Sequence, residues 1–300
     1  MQIRGIFPAL VTPFAFDESV AIASVRENIC KYNCTGVAGF VVLGSTGESV
    51  MLSREEADAV LATAKEAADP SKLLIAGTGA ESTAGTIART KRAALLGYPV
   101  ALVKTPYYYK PMYRAETYLR HYRAVADASP IPILLYSVPQ FTGITLETPE
   151  ILELSQHPNI VGIKDSSGNV QRVAEIVAGA PPDFCVLTGG ASVIYPAQAV
   201  GARGAVLALA AALPEKCAEV FALGQGGQHD DARRLQLQIA QASKRIVGEN
   251  GIPGVKYAMD LRGYQGGLAR KPLLPVPEEK KRTIAEMVSN LHPAVQEARN

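Results

Sequence analysis

Residues 159–168 read NIVGIKDSSG, an apolar run that ends on a charged pair before a string of small polar residues. Ile160–Lys164 has the length and β-branched character of a buried strand, and Val170–Ala178 behind it carries helical spacing. A strand followed by a helix is the repeating unit of a parallel sheet, because parallel strands need a crossover connection. The same unit recurs on both sides of this stretch. Further strand patterns fall at Gly5–Leu10, Ala38–Leu43, Leu73–Gly77, Val100–Lys104, Ile133–Tyr136, Cys185–Thr188 and Ala205–Leu207. They alternate with helical patterns such as Ser53–Ala68, Ser82–Leu96, Ala115–Ala128 and Pro149–Ser155. Ser53 ahead of Glu55 and Glu56 places a capping hydroxyl before acidic residues that suit a helix N-terminus. Eight such units are the number that closes a barrel, so the expected fold is a (β/α)8 TIM barrel.

A doubly wound open sheet is the rival. It usually carries a glycine phosphate loop after the first strand, whereas here that strand leads into LVTPFAFD, residues 10–17, with no such fingerprint. After Ala211 the strand signals stop, and Glu215–Ala222, Ala232–Val247 and Pro277–Leu291 read as helices. The first completes the barrel, expected over residues 1–224. The others form a C-terminal helical extension over residues 225–300, with no linker rich in Pro, Ser or charge between the two.

Composition bounds the function classes. The 300 residues are 48% hydrophobic and 19% charged, with a formal net charge of +2, which fits a globular chain with a substantial core. No basic run with interleaved aromatics supports nucleic-acid binding. The opening MQIRGIFPALVTPF is not a signal peptide, since Pro8 breaks its apolar stretch and no small-residue cleavage site follows. The longest apolar run, Ala205–Leu213, is far below the roughly 20 residues that span a bilayer. Cys30, Cys34, Cys185 and Cys217 contain no CxxC, and Cys30 and Cys34, one helical turn apart, read as free thiols on one buried helix face. A cytoplasmic enzyme is the expectation.

In such a barrel the chemistry sits at the carboxyl ends of the strands, and five places there stand out. GSTGE, Gly44–Glu48, follows the second strand; its glycines let backbone N–H groups converge on an anionic group, though a plain tight turn reads equally well. Lys164 ends an apolar strand and points into the barrel mouth. Desolvation disfavours an ammonium, and a neutral amine is a nucleophile toward carbonyls. The plain alternative is a lysine paired with a carboxylate, for which Asp165 is at hand. Lys104 in ALVKTPYYY is its competitor. Tyr136 in ILLYSVPQFTG ends the strand next to that of Lys164, where a phenol can shuttle protons. TPYYYKP, Thr105–Pro111, carries more tyrosines than one buried layer holds, so some meet the site or a partner subunit. Gly189–Gly190, with GARGAVLAL around the eighth strand, supports a different reading, a barrel acting on a phosphorylated substrate or a flavin. His121, His157, His229 and His292 form no HxxH or HExxH, so no metal is expected.

Taken in order, GSTGE, TPYYYKP, YSVPQFTG and GIKDSSG resemble the dihydrodipicolinate synthase / N-acetylneuraminate lyase family, from about Gly5 to about Pro272, with Lys164 28 positions after Tyr136. The resemblance implies a Schiff-base lyase without cofactor or metal that acts on pyruvate-type 2-oxo acids. It implies that Lys164 forms the imine, that Tyr136 transfers protons, and that Ser45 and Thr46 hold the pyruvate carboxylate. Thr46 would link Tyr136 to Tyr108, and Tyr108 would reach into the neighbouring subunit's site in a homotetramer built from two tight dimers. Gly189 and Val206 would line the pocket. By the same resemblance Lys104 falls where no nucleophile is needed.

Within the family, synthases that condense pyruvate with aspartate semialdehyde carry an arginine where this chain has Phe141. Arg54, Ala57, Glu81 and Gly85 stand where many of them bind regulatory lysine. YSVPQFTG, LSQHPNIVGIKDSSG and GIPGVKYAMDLRGYQGG instead look like the branch that cleaves 4-hydroxy-2-oxoglutarate, in which Ser166 would contact substrate. Two residues depart from that branch: Thr46 replaces an asparagine and Phe141 a small polar residue. The expected reaction is cleavage of 4-hydroxy-2-oxoglutarate to pyruvate and glyoxylate. Dihydrodipicolinate synthesis and sugar-acid cleavage or dehydration are the alternatives within the family, and a silent ligand-binding oligomer is the one outside it.

Overall fold

The computed structural model describes residues 3–292. Eight parallel strands run in the order of the chain: β1 (Gly5–Pro8), β2 (Gly39–Val42), β3 (Leu73–Gly77), β4 (Val100–Lys104), β5 (Ile133–Ser137), β6 (Ile160–Asp165), β7 (Cys185–Thr188) and β8 (Gly204–Leu207). β1 pairs with β8. On its other edge the barrel is closed by the Ala9–Val41 bridge and by backbone bonds from Ala38 N–H to Ile6 O and Leu10 N–H to Val41 O, at 2.8 and 2.9 Å. All eight expected strands are present and the (β/α)8 barrel is the fold; their ends differ from expectation by two residues at most.

Pleating divides the strand residues between two cores. Phe7, Val41, Ile75, Leu102, Leu134 and Leu187 fill the barrel, while Ile133, Leu135, Ile163 and Val186 pack outward against the helices. Helix starts follow local chemistry. Ser53 and Glu56 form a reciprocal capping box at the head of the helix Arg54–Ala67. Asn169 accepts from the Arg172 N–H and starts the helix Val170–Gly179 directly behind β6.

Three features depart from expectation. Cys30 and Cys34 are exposed, not buried. The helix Ile22–Asn33 turns Val25, Ile29 and Tyr32 inward, and Cys30 lies on the other side of that stripe. The helix expected over Ala232–Val247 is α-helical only from His229 to Ala242 and continues as a π-helical stretch, Ser243–Gly248. Gly251–Leu261 is a further helix of the extension, whose Gly-Ile-Pro-Gly opening hid its periodicity; Pro253 is tolerated because it lies in the first turn. Among the described residues no helix is long and apolar enough to cross a membrane.

Candidate active site

The geometry of the barrel mouth turns on one irregularity in β6. The β5–β6 ladder starts with Ile133 opposite Ile160, but Leu134 already faces Gly162, so Val161 is an extra residue. The slip turns Ile163 outward and sets Lys164 directly across from Tyr136. Without it Ile163 would hold that place. Gly162 is required there, because a Cβ would come within 2.2 Å of the Cys185 carbonyl oxygen.

Both side chains are buried, and the Lys164 Nζ lies 4.1 Å from the centre of the Tyr136 ring. The pairing of Lys164 with Asp165 does not occur. Asp165 instead receives Arg172 Nε at 2.8 Å together with the Ser167 N–H and hydroxyl, and among the described residues no carboxylate pairs with Lys164. Lys104, the competitor, also faces Tyr136, from β4. Its amine is engaged with Glu81 Oε1 at 3.1 Å and lies over the Tyr107 ring. The two lysines are thus distinguished by their partners.

The GSTGE turn lies beside Tyr136. Ser45 Oγ is 3.3 Å from the Tyr136 hydroxyl. Gly47 and Glu48 turn their N–H groups back onto Gly44 and Ser45 carbonyls. The N–H groups of Ser45 and Thr46 donate to no acceptor among the described residues. Two adjacent free donors beside Tyr136 suit a carboxylate. Thr46 is largely buried but bonds to neither Tyr136 nor Tyr108 within the chain, and it is Ser45 that meets Tyr136.

On the opposite wall Ser166 and Gly189 are in contact: a Cβ on Gly189 would stand 1.8 Å from Ser166 Oγ. Val206 is buried within the inner core. Phe141 sits on the helical turn Pro139–Thr142 after β5 and is 60% exposed. Tyr108 is 71% exposed, packed edge-on against Tyr109.

Two residues had no signal as site-builders in sequence. Glu81 gathers the tyrosine segment: its Oε2 accepts the N–H groups of Tyr107 and Tyr108, both at 2.9 Å, while Oε1 meets Lys104. Burial pushes its carboxyl up, but these donors outweigh that and hold it below the usual range. Lys110 stretches across to the turn that carries Phe141, its Nζ lying 2.8 Å from where a Cβ on Gly143 would be. Among the described residues no group of three His, Cys, Asp or Glu is arranged to hold a metal ion.

A parallel barrel whose mouth presents a buried lysine, a phenol and free backbone donors defines a class of carbonyl-handling barrel enzymes, and comparison with known proteins narrows it. The chain belongs to the dihydrodipicolinate synthetase family, which it matches over residues 2–291. It is 37% identical to a probable mitochondrial 4-hydroxy-2-oxoglutarate aldolase of Emericella nidulans, across 96% of this chain and 94% of that one. It is 36% identical to the 4-hydroxy-tetrahydrodipicolinate synthase of an Exiguobacterium species, across 92% and 93%. Among solved structures, the dihydrodipicolinate synthase of Acinetobacter baumannii complexed with pyruvate superposes with a TM-score of 0.92 at 31% identity, covering 97% of this chain and 99% of that one. The protein is accordingly an enzyme of the lyase and aldolase class.

Proposed function

We propose that this enzyme cleaves 4-hydroxy-2-oxoglutarate to pyruvate and glyoxylate through an imine on Lys164. The observation that carries the imine is the pairing of Lys164 with Tyr136 across β5 and β6, with no carboxylate among the described residues to occupy the amine. The substrate's C1 carboxylate lies on the free N–H groups of Ser45 and Thr46, which presents the C2 carbonyl to Lys164 Nζ. The amine adds to C2, water leaves the carbinolamine, and the iminium becomes an electron sink. Tyr136 gives its proton to the departing water and, as the phenolate, takes the proton of the C4 hydroxyl as the C3–C4 bond breaks, releasing glyoxylate and leaving an enamine. Protonation at C3 and hydrolysis of the imine release pyruvate and restore the amine.

The choice of substrate rests on the far end of the mouth. Phe141 offers no donors for the carboxylate of a second substrate, so the short C5 carboxylate falls to Ser166, beside Gly189 and Val206. Tyr108 completes the site of a neighbouring subunit in a tetramer of tight dimers, which accounts for its exposure on one chain. One observation favours a second reading, condensation with aspartate semialdehyde: Lys110 brings a cation to the turn that bears Phe141. The experiment is pyruvate release from a panel of 2-oxo acids in one direction and pyruvate consumption with glyoxylate or aspartate semialdehyde in the other. Cleavage of 4-hydroxy-2-oxoglutarate as the preferred reaction supports the aldolase; efficient condensation with aspartate semialdehyde overturns it in favour of the synthase.

A further inference from the structure

The GSTGE turn is held from below by residues more than 200 positions away in sequence. Glu48, its last residue, is fully buried and pairs through Oε1 with Lys256 Nζ at 2.7 Å. Lys256, from the helix Gly251–Leu261, is equally buried and donates to the carbonyls of Thr12 and Leu268, at 2.7 and 2.6 Å. Thr12 in turn donates its hydroxyl to Gly47 O at 2.7 Å. The other Glu48 oxygen accepts the Arg270 N–H at 2.9 Å. The Arg270 guanidinium binds Met51 O and Glu18 O and forms a two-pronged pair with Glu56, at 2.6 and 2.8 Å. Both cations also lie over the Phe14 ring, Lys256 Nζ at 4.7 Å and the Arg270 guanidinium at 4.3 Å.

The turn needs such a hold. Leu43 before it and Glu48 at its end have φ of 61° and 53°, left-handed backbone that non-glycine residues keep only where the surroundings impose it. An isolated turn would relax out of that shape, and the free N–H groups of Ser45 and Thr46 would no longer converge. A buried carboxylate and ammonium also fix each other's place tightly, since separating them strands both charges in a dry interior.

We propose that Glu48, Lys256 and Arg270 are positioning residues of the active site, and that through them the C-terminal extension holds the carboxylate-binding turn in its working shape. None of the three touches the reacting atoms. Their effect falls on recognition of the substrate carboxylate, not on the amine of Lys164. This rests on the proposed role of Ser45 and Thr46.

The test compares two ketones of the same shape, pyruvate and acetone, of which only the first has a carboxylate. Each is trapped on the enzyme with borohydride, and adducts on Lys164 are counted by mass spectrometry. Losing one charge alone would strand the other, so the variant to read is Glu48→Gln/Lys256→Met, with Arg270→Ala as a second route that leaves the buried pair intact. Val288→Ala, a core truncation in the helix Glu278–Leu291, serves as a control for lost stability. The preference for pyruvate over acetone is expected to fall by roughly tenfold or more in both positioning variants, the scale of a lost charge-assisted contact, with acetone trapping unchanged. It is expected to persist in Val288→Ala at a matched loss of Tm. Equal loss for both ketones, or a preference unchanged from wild type in folded enzyme, overturns the proposal. No trapping on Lys164 in the wild-type enzyme would instead overturn the imine on which it rests.

Discussion

Phe141 concentrates the question of substrate in one side chain. It stands exposed on the turn after β5, and the proposed function assigns this position to the second substrate's carboxylate, which an arginine fork would hold. A hydrogen bond to a charged group contributes about 2 kcal/mol, which corresponds to more than roughly tenfold in affinity. Phe141→Arg is therefore expected to raise kcat/KM for aspartate semialdehyde at least about tenfold relative to glyoxylate, with pyruvate saturating. An unchanged ratio in the two acceptors would show that this position does not read the distal carboxylate, and would point to Lys110. Lys164, Tyr136 and the GSTGE turn stand out in the sequence because each ends an apolar strand, and strand ends are where barrels keep their chemistry. The separation of the two lysines by contact is not legible there. That depends on Glu81 engaging Lys104 and on Arg172 drawing Asp165 away from Lys164, pairings that residue order does not encode.

Among elements, the strands were legible because each is a short apolar run. The bulge in β6 was not, because Ile160–Lys164 reads as an unbroken strand and the extra residue exists only in its pairing with β5. The helix Gly251–Leu261 was concealed by its glycines and Pro253, yet it carries the lysine that reaches Glu48. The helix Arg54–Ala67 is tied at its head to the extension through Glu56 and Arg270. Hydrogen bonds from Arg270 hold the Glu56 carboxyl at about 2, against an ordinary value near 4.5. A carboxyl lowered on folding contributes stability that is fully present above the ordinary value and disappears as pH falls through the folded one. Glu56→Gln keeps a side chain that can serve the capping box and removes the charge. Its loss of Tm relative to wild type is expected to be largest above pH 4.5 and to shrink toward pH 2. A difference that stays constant over that window would mean that the ion pair contributes nothing and only packing was lost.

At the scale of the molecule, three contacts join the C-terminal extension to the GSTGE turn and the head of the helix behind it: Lys256 to Glu48, Arg270 to Glu48, and Arg270 to Glu56. The barrel supplies Lys164 and Tyr136 from neighbouring strands, and the extension braces the turn proposed to hold the substrate's carboxylate. The proposed reaction depends on the imine. Enzyme treated with pyruvate and borohydride in the presence of EDTA, then digested and mapped, tests it directly. One reduced pyruvyl group per chain is expected, on Lys164, lost in Lys164→Ala and kept in Lys104→Ala. Modification of Lys104 instead, no modification at all, or a reaction abolished by the chelator and restored by a divalent metal would contradict it.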